Sequence, residues 1–477
     1  MMVTLRTSGG SPAVLDADAG EQLANLSGTL LTPDSPGYDQ ARTVWNAMID
    51  RRPGLIVQCA DANDVARAVR FARAHDLLVA VRGGGHNIAG NAVCDGGLMI
   101  DLSPMRSVQV NQIERVAQVG AGCTLGDVDR TTQGYGLATP LGVNSTTGIA
   151  GLTLGGGFGW LSRRLGLTID SLLSAQVVTA EGEIVRASAR ENPDLFWAIR
   201  GGGGNFGIVT SFEFQLHPVG PEVLAGLVVH PLSAARDVLR FYRDFLSTTP
   251  EDFSCWFVLR QAPPLPFLAP EWHGKPILAL AMCWSGELAE GERVAAPLRG
   301  FGKPLADVVG PNPYADWQTA LDPLLTPGFR NYWKSHDFRE LSDGLIDVLL
   351  EYAGRIPDPN TEIAYAQLGG LASRVPQNAT AYGHRDAQFV MNVHGRWTEP
   401  DRDQACIGWA RDLFRAAAPF ATGGVYVNFL TQDEGDRVRA AYGPNYDRLV
   451  ELKRRYDPTN LFRMNQNIPP KAGSGER

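Results

Sequence analysis

Dense cationic blocks, long apolar runs and paired cysteine motifs are all missing from this 477-residue sequence. Each absence removes a class of function. Lys and Arg number 43 against 51 Asp and Glu, for a formal net charge of -8. Without a Lys/Arg cluster there is no electrostatic footprint for nucleic acid or an anionic membrane, and neither is expected as a partner. The amino-terminal stretch MMVTLRTSGGSPAVLDADAG has no apolar h-region, and no run approaches about 18 uninterrupted apolar residues. A soluble, cytoplasmic protein is the expectation. The six cysteines, Cys59, Cys94, Cys123, Cys255, Cys283 and Cys406, show neither C-x-x-C nor zinc-type spacing, which predicts reduced thiols in a core. No repeat of solenoid period is present, and no metal site is indicated.

What is present is ordinary globular composition, 44% apolar and 20% charged, in a chain long enough for two domains. From residue 61, DANDVARAVRFARAHD places Val65, Ala68, Val69 and Ala72 at helical spacing behind Asp61 as N-cap. A short buried strand, LLVAV (77–81), follows and ends in glycines. Further strands are predicted at 97–102 and 115–120, a helix within 124–136, and a hairpin over 174–188. HPVGPEV (217–223) gathers proline and glycine where the pattern changes and marks a domain boundary. Beyond it, strand-like FSCWFVLR, ILALAMCW, AYAQLGG and AQFVMNVHGRW alternate with amphipathic helices, which predicts a sheet covered on one side. APPLPFLAP and IPDPN read as surface loops.

Four glycine clusters lie within about 120 residues: RGGGHN (82–87), GIAGL (148–152), GGGFGW (155–160) and GGGGNFG (201–207). Successive glycines let a backbone approach a ligand and form a nest for phosphates, although any one cluster could serve only a turn. Gly202, Gly204 and Gly207 match G-x-G-x-x-G. A dinucleotide fingerprint requires a strand before it and a helix after it, whereas here a helical NPDLFWAIR precedes and a strand-like IVTSFEFQL follows, so a nicotinamide site is rejected. His86 stands without neighbouring metal-ligand residue types, and the glycines before it leave its imidazole facing whatever covers the loop.

Together, RGGGHNIAGNAVCDGGLMIDLSPM, TTGIAGLTLGGGFGWLSRRLGLTIDSLLSAQVVTAEGEIVRAS, ENPDLFWAIRGGGGNFGIVTSFEF and YGPNYDRLVELKRRYDPTNLFRMNQNI resemble the bacterial berberine bridge enzyme-like FAD-linked oxidases, within the vanillyl-alcohol oxidase and p-cresol methylhydroxylase flavoprotein superfamily. The resemblance covers about residues 38 to 470. It implies an α+β chain with a two-subdomain PCMH-type FAD-binding domain (1–220), a substrate domain with an antiparallel sheet covered by helices (221–425), and a C-terminal segment (426–477) returning to the FAD domain. It also implies FAD bonded covalently through His86, with Arg82, Gly83, Gly84 and Gly85 cradling the pyrophosphate and Asn87 beside them. By the same resemblance Asn144, Ser145, Thr146, Thr147, Gly148 and Gly151 run along the flavin, Ile208 lies near the adenine and Asn465 near the isoalloxazine. Doubly linked relatives carry a cysteine where this chain has Asn144, so a single linkage is expected, as in 6-hydroxynicotine oxidase-like members. Thr147 takes the position that governs dioxygen access and is nearly isosteric with valine, which favours an oxidase.

The substrate would be a small molecule giving up a hydride from a CH-OH or CH-NH group, with dioxygen as acceptor. In AQFVMNVHGRW, Phe389, Met391 and Val393 share one face and Asn392 and His394 the other. That second face is either a solvated strand surface or part of the site, with His394 as general base. VYVNFL matches a segment whose second aromatic is a basic tyrosine in several relatives; here it is Phe429, leaving Tyr426 and Asn428 as polar candidates. Arg163 and Arg164 read as a solvated or structural pair. A dehydrogenase of the same architecture and a non-catalytic flavin carrier are the rival readings.

Overall fold

The computed structural model describes residues 3–15, 22–23 and 25–470. Its amino-terminal half holds two larger sheets beside two short strand pairs, Val3–Arg6 with Pro12–Leu15 and Leu137–Ala138 with His217–Pro218. The first runs Thr29–Leu31, Leu55–Gln58, Leu98–Asp101, Val79–Arg82, the last three parallel, and the helix Ala62–Ala74 supplies the crossover that a parallel pair requires. Asp61 caps that helix, its carboxylate accepting from the N–H groups of Asn63 and Asp64 at 2.8 and 3.0 Å. The second sheet has five antiparallel strands in the order Ile184–Ser188, Leu172–Val178, Ile208–Gln215, Val116–Gly120, Val108–Asn111. The predicted hairpin over 174–188 forms in register, Ala175 opposite Ala187.

A third, eight-stranded antiparallel sheet begins at Glu222 and ends at Trp397. Four helices, Ala235–Leu246, Leu288–Arg299, Asp343–Ala353 and Asp403–Ala417, contribute to the core on one face, where Leu239, Leu349 and Leu413 pack against Phe257, Leu280 and Met391. Because side chains alternate along each strand, the opposite face is left for the site. One edge strand of this sheet escaped the sequence pattern. Arg330–Phe338 (RNYWKSHDF) pairs with Phe389–Trp397 over its full length, but its Arg, Lys, His and Asp hide the strand signal. All six cysteines are buried free thiols.

Buried ion pairs and hydrogen bonds tie the halves together. Arg385 donates to both oxygens of Asp170 at 2.7 and 2.8 Å. Arg163 reaches the carbonyls of Phe253 and Pro250, and Arg164 that of Ser285, so the pair is structural.

Candidate active site

The uncovered sheet face and the glycine loops enclose a cavity of about 380 Å³, of the size that holds small-molecule ligands. Gly83, Gly84 and Gly85 form one wall with His86 and Asn87; Asn144, Thr147, Gly148 and Gly151 continue it. Gly203, Gly204, Gly207 and Ile208 form a second wall, and Phe462, Asn465 and Gln466 a third. Thus all four glycine clusters, far apart in sequence, face one space, the fourth through Phe158. The approach of two loops explains part of the glycine content. A Cβ on Gly84 would lie 2.3 Å from the Gly148 nitrogen, and one on Gly148 2.3 Å from the Gly84 nitrogen. No side chain fits between them.

The His86 imidazole stacks on Trp45, centroids 5.2 Å apart and planes 22° apart. Its Nε2 lies 3.0 Å from Thr146 Oγ1 and its Nδ1 3.5 Å from Thr147 Oγ1. Burial pushes its pKa down to about 4, so the ring is neutral at physiological pH. Two expectations along this wall need correction. Arg82 closes the strand Val79–Arg82, in which Val79 and Val81 line the cavity; alternation turns Arg82 the other way, and its guanidinium donates to the Ala41 carbonyl. Arg82 therefore does not line the cavity, although its guanidinium lies behind Gly85. Ser145 likewise faces outward, its N–H donating to Asp322 at 2.9 Å and its hydroxyl to the same carboxylate. Thr146 reaches the site only through His86.

On the sheet face, neighbouring strands set side chains in rows. Arg260, Glu362, His394 and Trp333 lie in register across four strands, and Val258, Ala364 and Asn392 form the next row. The Asn392 and His394 face therefore lines the cavity and is buried, at 9% and 4% exposure, so it is not a solvated surface. His394 is nevertheless poorly placed as a base. Its Nδ1 sits 3.4 Å from Glu362 Oε1 and its Nε2 3.1 Å from Asn331 Oδ1, an oxygen identified because the other amide atom donates to the Phe329 carbonyl. Both ring nitrogens are engaged by protein. Burial lowers its pKa against the opposing pull of Glu362. Glu362, a wall residue the sequence reading missed, is disfavoured as an anion by burial, yet Arg260, His394 and Arg396 hold it down at about 2. Arg260 donates to its Oε2 at 2.6 Å. Asn392 keeps a buried Oδ1 with no protein partner.

Facing this row, the segment after residue 424 delivers Tyr426 and Asn428. The Tyr426 hydroxyl oxygen accepts from the Gly157 N–H at 3.1 Å and from Asn428 Nδ2 at 2.9 Å. Burial raises the phenol to about 12 in spite of these two donors. Asn428 is itself anchored on the carbonyls of Gly151 and Leu152. Phe158, Phe429 and Trp256 complete an aromatic surround.

The carboxyl-terminal wall is pinned by a buried ion pair. Lys453 Nζ donates to Asp457 at 2.7 Å, to the Asn205 carbonyl at 2.8 Å and to the Phe462 carbonyl at 3.0 Å, while Asp457 accepts from the N–H groups of Leu461 and Phe462. This knot sets Phe462 to Gln466 beside the GGGGN loop. Asn465 presents a buried Oδ1 without a protein partner in that wall. Glycine walls bare of side chains, the unpartnered amide oxygen of Asn465 and a neutral histidine stacked on tryptophan fit an extended flavin dinucleotide. Among the described residues no group of His, Cys, Asp and Glu is arranged to hold a metal.

Comparison with known proteins agrees with this geometry. Residues 53–188 match an FAD binding domain and residues 425–469 the berberine and berberine-like family. An FAD-linked oxidoreductase of Dictyostelium discoideum is 32% identical, the match covering 94% of this chain and 95% of that one. The (R)-6-hydroxynicotine oxidase of Paenarthrobacter nicotinovorans is 31% identical over 94% and 98% of the two chains. The crystal structure of 6-hydroxy-D-nicotine oxidase from Arthrobacter nicotinovorans superposes with a TM-score of 0.84 at 30% identity, covering 94% of this chain and 99% of that one. The chain belongs to the berberine bridge enzyme-like FAD-linked oxidoreductases of the PCMH flavoprotein superfamily.

Proposed function

We propose that this FAD-linked oxidoreductase is an oxidase of a small organic molecule, removing a hydride from a CH-OH or CH-NH group and returning the electrons to dioxygen as hydrogen peroxide, with its FAD bonded covalently to His86. FAD, held by the glycine walls, His86, Asn87, Thr147, Ile208 and Asn465, supplies the hydride acceptor. The protein has to orient the substrate and take the proton of its hydroxyl or amine.

The observation that carries this reading is the Tyr426 hydroxyl. Its oxygen receives two hydrogen bonds from inside the protein, the pattern that stabilises negative charge developing there. Tyr426 is therefore assigned the substrate's heteroatom proton, Asn428 and the Gly157 N–H stabilise the phenolate that accepts it, and the Asn392 amide gives the substrate a polar anchor. The aromatic surround excludes water from the reacting centre.

Oxygen uptake during a substrate screen of alcohols and amines, with dye reduction run in parallel, tests the assignment. An oxidase consumes oxygen in step with substrate; dye reduction without oxygen consumption identifies a dehydrogenase. Tyr426→Phe is expected to retain FAD and lose about 10²–10⁴-fold in kcat/KM, the usual range for a general acid or base. Retained activity would remove Tyr426 from its role.

A further inference from the structure

The neutral His86 ring can carry its proton on either nitrogen, and its neighbours decide which. The Thr146 backbone N–H donates to the Asn144 side-chain oxygen at 3.1 Å, which identifies that atom as Oδ1 because an N–H cannot donate to an NH₂ group. The Thr146 hydroxyl lies 2.8 Å from the same Oδ1 and 3.0 Å from His86 Nε2, and the shorter contact, to the amide oxygen, takes its hydrogen. Once its hydrogen is committed, Oγ1 can only accept from His86 Nε2, 3.0 Å away. Nε2 therefore carries the proton. Nδ1 keeps a lone pair, with the Thr147 hydroxyl at the 3.5 Å limit of a hydrogen bond. Trp45 holds the ring plane from behind.

We infer that Asn144 and Thr146 are positioning residues for covalent attachment of the flavin: they fix His86 as the Nε2–H tautomer and leave Nδ1 as the nucleophile. This rests on the reading of His86 as the point of attachment. In the attachment, one C–H bond of the flavin's ring methyl breaks and one Nδ1–C bond forms. The methyl proton passes to the ring system, which is left reduced by two electrons. Dioxygen takes that pair with two protons, one from the ring system and one from Nε2, and leaves as hydrogen peroxide. Throughout, the positive charge appearing on the imidazole during attack is met by Thr146 Oγ1 accepting from Nε2–H. Asn144 stands where doubly linked relatives would have a cysteine; in this chain that position acts on the histidine bond instead of forming its own. The pushed-down pKa of His86 supports the same picture, since a protonated ring would have no lone pair to give.

The experiment follows covalent incorporation when apo-protein is mixed with FAD, by intact mass and by flavin fluorescence retained after denaturation, for wild type, Thr146→Val, Thr146→Ser, Asn144→Ala and His86→Ala. Thr146→Val and Asn144→Ala are expected to bind FAD yet attach it about tenfold or more slowly, the order of loss seen when a second partner no longer fixes an imidazole tautomer, with Ser restoring the rate. The histidyl-flavin isolated from wild type should be alkylated on Nδ1 alone. Attachment by Thr146→Val at the wild-type rate overturns the inference. If wild type releases all its flavin on denaturation, the attachment reading itself has failed. The tautomer is then still decided by ¹⁵N NMR of His86 in the apo-protein, where a proton on Nδ1 would refute the positioning role.

Discussion

Gly155 has no ligand to bind and a backbone conformation any residue adopts (φ -91°, ψ -1°), yet Gly155→Ala should be a functional lesion. A Cβ there would stand 2.3 Å from both terminal atoms of Asn428 and 2.4 Å from its Cγ. The obstruction is a side-chain amide that can rotate, so the fold survives and Asn428 moves. The move takes Nδ2 away from the Tyr426 oxygen, leaving the Gly157 N–H as its one donor. A hydrogen bond to a charge contributes about 1.5–3 kcal/mol, so loss of one on the reactive phenolate lowers its population, and with it kcat/KM, by roughly 10–100-fold. The assay is steady-state oxidation normalised to flavin content, with circular dichroism to verify the fold. Asn428→Ala should show a similar loss, and the double variant should be little worse than either single change, because both remove the same bond. A Gly155→Ala enzyme within about twofold of wild type, or a double variant whose losses multiply, would refute the reasoning.

Gly84→Ala differs in kind, because its Cβ meets the Gly148 backbone at 2.3–2.5 Å and nothing there can rotate away; flavin binding, read from absorbance of the purified protein, should be lost. Lys453→Met leaves Asp457 charged, unpaired and fully buried, which costs about 3–5 kcal/mol. Its melting temperature and FAD affinity should fall together, since Phe462 to Gln466 hang from that knot. Asp129, completely buried beside Gln318 (Nε2 to Oδ2 2.9 Å), has its carboxyl lifted by burial to about 7, above the ~3.9 of an unfolded chain. The folded protein therefore keeps a proton that the unfolded chain releases. The stability this group contributes is complete below about pH 4 and is lost as pH rises through 7, by up to ~4 kcal/mol. Asp129→Asn should remove that slope in urea titrations across pH 4–8; an unchanged slope would show that Asp129 is not its source.

The local signals in the sequence carried far. Asp61 before an apolar 3.6-residue rhythm gave a capped helix, and the helix-then-strand order around GGGGNFG separated this chain from nicotinamide folds. The alternation in AQFVMNVHGRW set Asn392 and His394 on one face, and the structure turns that face to the cavity. What stayed hidden depends on partners distant in sequence. Arg82 looked like a phosphate ligand beside its glycines, but its direction is set by the phase of a four-residue strand and by a carbonyl 41 positions earlier. Glu362 had no local motif at all; it reaches the site because its strand is clamped between those of Arg260 and His394. A charge-rich strand such as Arg330–Phe338 defeats periodicity because charged side chains along it find partners far off in sequence, Lys334 in Thr431 and Asp433 and Arg330 in Asp403.

The row Arg260, Glu362, His394 has a consequence for pH dependence. A histidine facing a substrate cavity would ordinarily put a break near its free pKa of about 6.5 into the rate profile. Here both ring nitrogens are bound, one by a carboxylate already paired with Arg260 and the other by the Asn331 amide, so a proton taken by His394 would come from no substrate. The row binds its own charges and offers none to the cavity. The acid–base work then falls to Tyr426, whose active form as acceptor is the phenolate and whose pKa is about 12. With the deprotonated form reactive and the pKa high, kcat/KM should climb with pH through the neutral and mildly alkaline range without a break near 6.5, and Tyr426→Phe should flatten the climb. A break near 6.5 that disappears in His394→Gln would show that the imidazole exchanges protons with substrate and that the pairing with Glu362 and Asn331 opens during turnover.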